Sequence, residues 1–185
     1  RCVPRVQAGE GMTEFPAFAL ESLQDGLAIR ALHRADWKPL IIDWLSAELR
    51  SRVRAGRRQL LARAAGLHRK PYARVLDATG GLGRDAYTLA ALGAQVTLVE
   101  RQPLTVELLR DAQRRARLSP DPAWVAAADR VLIIGSDALD VGRGQGPFDA
   151  VYLDPMYPDD GKSALPHKDM QLLRELAGDD LDALQ

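Results

Sequence analysis

Cysteine is almost missing from this sequence. Cys2 is the only one in 185 residues, so no disulfide can close within the chain and no cysteine cluster can hold a metal. Such usage fits a reducing cytoplasm. Histidine is scarce too, and His33, His68 and His167 are too scattered to suggest a metal site. No apolar run approaches membrane-spanning length. The start carries no basic-then-apolar signal segment. It opens on Arg1 and not on Met, which points to a native start further upstream. Ser51, Ser136 and Ser163 lack the surroundings of a nucleophile elbow. Aromatic residues make up only 5%, and Trp37, Trp44 and Trp124 read as core or hairpin-packing residues, not as platforms for bases.

One absence is local. From Leu49 to Leu76 there is no Asp or Glu, while Arg50, Arg52, Arg54, Arg57, Arg58, Arg63, Arg69, Lys70 and Arg74 all fall in that stretch. Formal net charge is +0, so the block is an asymmetry, balanced in part by an acidic lean from Asp169 to Gln185. A basic block beside a catalytic unit suits contact with a polyanion. A solvated helix face is the competing reading.

What is present divides into three parts. Residues 1–24 read as loop with room for one short strand. Leu27–Arg34 alternates as a half-buried strand does, Ala35-Asp36 turns the chain, and Pro39–Leu45 offers a second apolar run. An N-terminal hairpin over 26–45 follows, within a region spanning 1–48. A basic helical connector occupies 49–72, with helices over 46–55 and 57–66 broken at Gly56 and closed by Gly66. The third part, 73–185, alternates strands and helices. Strands are expected at 73–77, 95–100, 130–134 and 148–153. Helices are expected at 85–92, at 103–118 with Pro103 in its first turn, around 124–128, and over Lys168–Leu176. Gly142, Gly144, Gly146 and Pro147 mark a loop. This alternation implies a parallel sheet with helices on both faces.

Ligands of such sheets sit outside the carboxyl ends of the strands. The chemically loaded residues fall there: Asp77 to Asp85, Glu100, Ser136-Asp137, and Asp154 to Tyr157. Gly80, Gly81 and Gly83 let the backbone turn tightly and approach a ligand, with helix amides following. The same glycines satisfy a dinucleotide fingerprint, so the loop alone leaves both cofactors open. Electrostatics separates them. Asp77 before the glycines and Asp85 in the first helical turn would repel a diphosphate, whereas the sulfonium and ammonium of S-adenosylmethionine (SAM) favour carboxylates. Glu100 can accept from both ribose hydroxyls. Asp137 is placed to meet an adenine amine, or else to cap the next segment.

Asp154-Pro155-Met156-Tyr157 suits a planar amino group. A carboxylate and a carbonyl can take its two hydrogens and turn the lone pair toward a methyl donor. Pro155 stiffens the loop, and Tyr157 can stack on a base. A plain strand-ending turn is the bland reading.

At these residues the sequence resembles class I SAM-dependent methyltransferases, and more narrowly the bacterial small-subunit ribosomal RNA guanine-N2 methyltransferases of the RsmJ family. The resemblance rests on Leu76-Asp77-Ala78-Thr79-Gly80-Gly81-Leu82-Gly83-Arg84-Asp85-Ala86, on Val99-Glu100-Arg101, and on Val151 to Pro158. It continues through Lys162-Ser163-Ala164-Leu165 and Lys168-Asp169-Met170, and upstream in Gly56-Arg57-Arg58 and Leu61 to Leu67. It implies a Rossmann-like α/β fold and SAM held by Arg84-Asp85, Glu100-Arg101, Ser136-Asp137 and Asp154, with Asp77, Gly81 and Gly83 in the loop. It implies methylation of a guanine amine in small-subunit rRNA, with Asp154, Pro155 and Tyr157 as the catalytic loop. Arg57, Arg58, Arg63, Lys162 and Lys168 are the expected RNA contacts, and the cytoplasm the expected location. Gly80 stands where the family pattern has alanine, which reads as a conservative change. The family continues past Gln185 with further sheet strands, so the sheet is expected to be incomplete here. Methylation of another acceptor, such as DNA adenine or a protein, stays open, as do a non-catalytic RNA-binding assembly factor and a nucleotide-dependent oxidoreductase.

Overall fold

In the computed structural model, residues 17–144, 146–155 and 168–177 are described. Two sheets organise them. The first is antiparallel, with β1 (Phe18–Leu23), β2 (Gly26–Ala31) and β3 (Leu40–Ile41) in that order. The second is parallel, with β4 (Arg74–Asp77), β5 (Gln95–Glu100), β6 (Val131–Gly135) and β7 (Ala150–Tyr152) in the order β6-β5-β4-β7.

The N-terminal hairpin is built differently from expectation. β2 does pair with the apolar run that follows, but through Leu40–Ile41 alone. Its longer partner is β1, joined by a tight turn with Gly26 at φ +138. No residue of Phe18–Leu23 is fully buried, so the segment carries no clean alternation in the sequence.

The chain then runs α1 (Ala47–Arg54), a 3-10 turn (Gly56–Arg58) and α2 (Leu60–Ala64). Gly56 separates them with φ +68, as the sequence suggested. Ser46 caps α1, its hydroxyl accepting from the Leu49 amide. Next come α3 (Arg84–Ala91), α4 (Pro103–Arg117), α5 (Pro122–Asp129), α6 (Ala138–Gly144) and α7 (Lys168–Ala177). α4 and α5 both begin with proline after a capping side chain, Gln102 and Asp121.

Helix α6 was not expected, because its glycines read as loop. The structure supplies two reasons for it. Asp137 caps it by accepting the Leu139 amide at 2.8 Å, and Val141 is buried against Leu76 and Val99.

Alternation along the parallel strands assigns two faces. Val75, Val96 and Leu98 belong to a large core with Tyr87, Leu89, Leu108, Leu109 and Ala127 of α3, α4 and α5. Leu76 and Val99 face the other way, toward α6. The N-terminal elements add Ile29, Leu40, Trp44 and Leu49 to the large core. Helices thus cover both faces, as expected. No helix among the described residues is long and apolar enough to cross a membrane.

The strand order positions the site. From β4 the chain steps outward to β5 and β6, then returns to place β7 on the other side of β4. The loops after β4 and β7 therefore meet at the topological switch point, where the ligand crevice of such sheets lies.

Candidate cofactor and active site

The glycine loop fills one wall of that crevice. Gly81 and Gly83 have φ of +50 and +66, a region costly for other residues. Gly83 opens α3 from this left-handed conformation. A Cβ on Gly81 would meet only the Thr79 carbonyl, at 3.8 Å, so that side of the loop is open. Gly80 is the reverse case: its Cβ would lie 2.7 Å from Leu98 Cδ2 and 2.9 Å from the Val99 carbonyl oxygen. Alanine does not fit there without movement of β5, so glycine at 80 is required by this packing and is not a conservative exchange.

Four carboxylates converge on the crevice. Asp77 is only 2% exposed and accepts the Thr79 amide at 3.2 Å. Burial pushes its pKa up to about 7, and the charges of Asp85, Glu100 and Asp154 add to the rise, against the lowering effect of the Thr79 amide. Glu100 accepts the Gly81 amide at 2.8 Å and the Gln102 amide at 2.7 Å. It thereby ties the glycine loop to the end of β5. Asp85 is held from two sides, by Arg52 of α1 and by the Tyr152 hydroxyl, which donates to it at 2.5 Å. Burial first, and then this bond to a carboxylate, push the Tyr152 phenol upward.

Asp154 stands exposed just past β7. Its amide donates to Thr79 Oγ1 at 2.8 Å, and the Ala78 amide donates to the Tyr152 carbonyl at 3.0 Å. These two bonds stitch the Asp-Pro loop to the glycine loop. Pro155 is buried behind it. Tyr157 and Lys162 lie outside the described residues.

Of the other residues expected in the site, Ser136 follows β6, its amide donating to the Glu100 carbonyl at 3.1 Å. Asp137 is exposed and caps α6 with one oxygen. Arg84 opens α3 between Glu48 and Asp169, at 3.8 and 3.7 Å. Arg101 is exposed at the end of β5. Lys168 pairs with Asp36 at 3.4 Å. Arg58 and Arg63 are exposed. Arg57 sits elsewhere. Its Nε donates to the Leu92 carbonyl at 2.8 Å, at the far end of α3. An eight-residue helix is about 12 Å long, so Arg57 lies at the opposite edge of the sheet from the crevice.

Sequence reasoning missed four residues that shape the site: Trp44, Arg52, Thr79 and Tyr152. Trp44 is buried, donates its indole N–H to the Leu82 carbonyl at 3.1 Å and packs on Gly83, where a Cβ would come within 2.8 Å of its ring. It also stacks on Tyr87, whose ring stacks in turn on Trp124. Nothing local in the sequence links Trp44 to a loop forty residues away. Thr79 lay inside the recognised loop, and its hydroxyl was the available signal.

The open glycine face, the converging carboxylates of Asp77, Asp85, Glu100 and Asp154 and the crevice at the switch point fit a cationic, nucleoside-bearing cofactor. An anionic diphosphate would face Asp77, Asp85 and Glu100 together, an unfavourable arrangement for like charges.

Comparison with known proteins agrees. A family model described as "Putative SAM-dependent methyltransferase" matches residues 8–185. A protein named ribosomal RNA small subunit methyltransferase J from Pseudomonas paraeruginosa is 45% identical over 171 residues, covering 90% of this chain and 64% of the relative. One of the same name from Laribacter hongkongensis is 49% identical over 140 residues, covering 75% of this chain and 49% of that protein. The chain thus spans between about half and just under two thirds of the length of these curated relatives. A crystal structure of a SAM-dependent methyltransferase from Neisseria gonorrhoeae matches with a TM-score of 0.65 and 31% identity, covering 98% of this chain and 68% of that one. With the family match running over nearly the whole sequence, the chain belongs to this family of SAM-dependent methyltransferases.

Proposed function

We propose that this protein transfers a methyl group from SAM to the exocyclic N2 amine of a guanine in small-subunit ribosomal RNA. The observation that carries the reading is the junction of two loops through Thr79. It sets Asp154, at the end of β7, beside a glycine loop backed by Asp77, Asp85 and Glu100. The relatives named for ribosomal RNA methylation support the choice of substrate.

SAM supplies an electrophilic methyl on a sulfonium. The residues of the chain bind, orient and neutralise. In this reading Gly81 and Gly83 leave room for the cofactor, with Asp77, Arg84, Asp85, Glu100, Arg101, Ser136, Asp137 and Asp154 around it. Glu100 accepts from ribose hydroxyls with lone pairs left over from its two backbone bonds. Asp77 and its carboxylate neighbours offset the cofactor's positive charge.

Asp154 and a loop carbonyl accept hydrogen bonds from the two amine hydrogens, which directs the nitrogen lone pair, and Asp154 takes the proton that the nitrogen sheds on methylation. Pro155 keeps that loop stiff, and Tyr157 stacks on the guanine. Catalysis is then mostly positioning and electrostatic orientation. The base must leave its stack to enter, at roughly a few kcal/mol, which phosphate contacts from Arg58, Arg63, Lys162 and Lys168 help to offset, while Arg57, expected among them, instead braces the end of α3 through the Leu92 carbonyl.

We assign 1–48 as a supporting hairpin region, 49–72 as the basic connector and 73–185 as the SAM-binding unit. A reaction on ribosomal RNA places the protein in the bacterial cytoplasm.

The test is transfer of labelled methyl from SAM to small ribosomal subunits, with isothermal titration of SAM and of NAD alongside. SAM binding with label in a guanine of the rRNA is the expected result. SAM binding without transfer to any RNA would favour an assembly factor, and NAD binding would remove the reading altogether.

A further inference from the structure

Several basic side chains among the described residues are neutralised within the fold. Arg30 pairs with Glu21, Arg34 with Glu175, Arg110 with Glu107, Arg117 with Asp129, and Lys70 with Asp149. Four arginines of the connector have no such partner. Arg54, Arg58, Arg63 and Arg69 are exposed and make no ion pair or side-chain hydrogen bond with any described residue. Two other exposed side chains lie in the same stretch, Tyr72 at 71% and Leu60 at 81%. Exposed unpaired guanidinium groups beside an exposed tyrosine ring combine phosphate attraction with a face for stacking.

Their position is fixed by contacts already described. Arg52 meets Asp85 at the start of α3, and Arg57 meets the Leu92 carbonyl at its end. The connector therefore runs alongside α3 from the crevice to the opposite edge of the sheet. There a Cβ on Gly93 would lie 2.9 Å from both an Arg57 guanidinium nitrogen and the Pro71 carbonyl oxygen. Pro71 thus comes near Arg57 at this end of α3, and Arg58 and Tyr72 are their neighbours in sequence. Arg57 itself is spent on the helix end, so it is an anchor for the surface and not part of its free charge.

We propose that this far edge is a second RNA-docking surface, separate from the methyl-transfer crevice, on which Arg58, Arg63 and Arg69 hold backbone phosphates and Tyr72 stacks on one unpaired base. The proposal rests on the rRNA reading above and adds to it a requirement: the substrate is folded RNA large enough to reach both edges. A short strand that enters the crevice alone would not touch this surface. An acidic protein partner fits less well, because a tyrosine ring beside guanidinium groups adds nothing to carboxylate binding and much to base binding.

The experiment compares wild type with the triple variant Arg58→Gln, Arg63→Gln, Arg69→Gln and with Tyr72→Ala and Tyr72→Phe. Methyl transfer is measured on small ribosomal subunits and on a short guanine-containing single strand, and SAM affinity by calorimetry. For subunits, the triple variant should raise KM and flatten the salt dependence by roughly 0.7–0.9 log units per lost contact. Tyr72→Ala should raise KM about 5-fold or more, and Tyr72→Phe should restore it, since the stacking face is kept. Neither change should alter SAM affinity, and any loss on the short strand should be much smaller than the loss on subunits. Unchanged KM and salt slope on subunits would overturn the proposal. Failure of the wild type itself to methylate RNA would instead refute the function on which the proposal stands.

Discussion

Replacing Asp77 by Asn should make the ligand-free protein more stable, and increasingly so as pH rises. Asp77 is buried against three other carboxylates, and its pKa is pushed from 3.8 to about 7. Between those values the folded chain holds a proton that the unfolded chain has released. Stability therefore falls with rising pH, starting near 3.8 and levelling off a little above 7. Each pH unit in that interval is worth about 1.4 kcal/mol, so full ionisation costs roughly 4 kcal/mol. Asn keeps an acceptor for the Thr79 amide and carries no charge. Urea unfolding of both proteins without SAM should show their difference widening in favour of Asn by roughly 2.5 kcal/mol between pH 5 and pH 8. Carboxylates held below their ordinary range, such as Asp111 and Glu175, act in both proteins and cancel in the comparison. SAM should stabilise wild type more than the variant, because its cationic groups relieve the crowded acids. A difference that does not change with pH would mean that Asp77 ionises like any surface aspartate, and the electrostatic account of the crevice would fail.

Three further outcomes test the geometry. Glu100→Ala should weaken SAM binding by about 1–3 kcal/mol in calorimetry, since ribose hydroxyls and the Gly81 and Gln102 amides all lose an acceptor; unchanged affinity would remove Glu100 from the site. Trp44→Phe retains a ring to stack on Tyr87 but strands the Leu82 carbonyl, so denaturant melts should show a loss of about 1–3 kcal/mol, with SAM affinity falling as the loop loosens. Gly80→Ala should cost about 1–3 kcal/mol through its clash with Leu98 and the Val99 carbonyl; a neutral result would show that β5 yields easily there.

The parallel sheet was legible because its strands are apolar runs that end in glycine or acid, and Asp77, Glu100 and Asp154 mark those ends. The helix start at Pro103 was equally plain, since proline acts locally, whereas the next helix begins at Pro122, two residues before the expected Trp124. What stayed hidden depends on contacts distant in sequence. Helix α6 forms over glycines because Val141 finds Leu76 and Val99 across the sheet. Trp44 supports the glycine loop through a bond that spans 38 residues. The basic block read as one surface, yet its members divide once folded: Arg52 turns inward to Asp85, Arg57 holds the end of α3, and Arg58 and Arg63 remain exposed. Side-chain direction around a short broken helix decides this, and composition does not carry it.

The central claim is that Asp154 orients a guanine amine for methyl transfer. The most direct measurement is nucleoside mass spectrometry of small-subunit rRNA after incubation with SAM and either wild type or Asp154→Ala. The account predicts N2-methylguanosine with wild type, and its loss with Asp154→Ala while calorimetry shows SAM still bound. N2-methylguanosine formed at a near wild-type rate by Asp154→Ala, or methyl found on a different base by wild type, would contradict it.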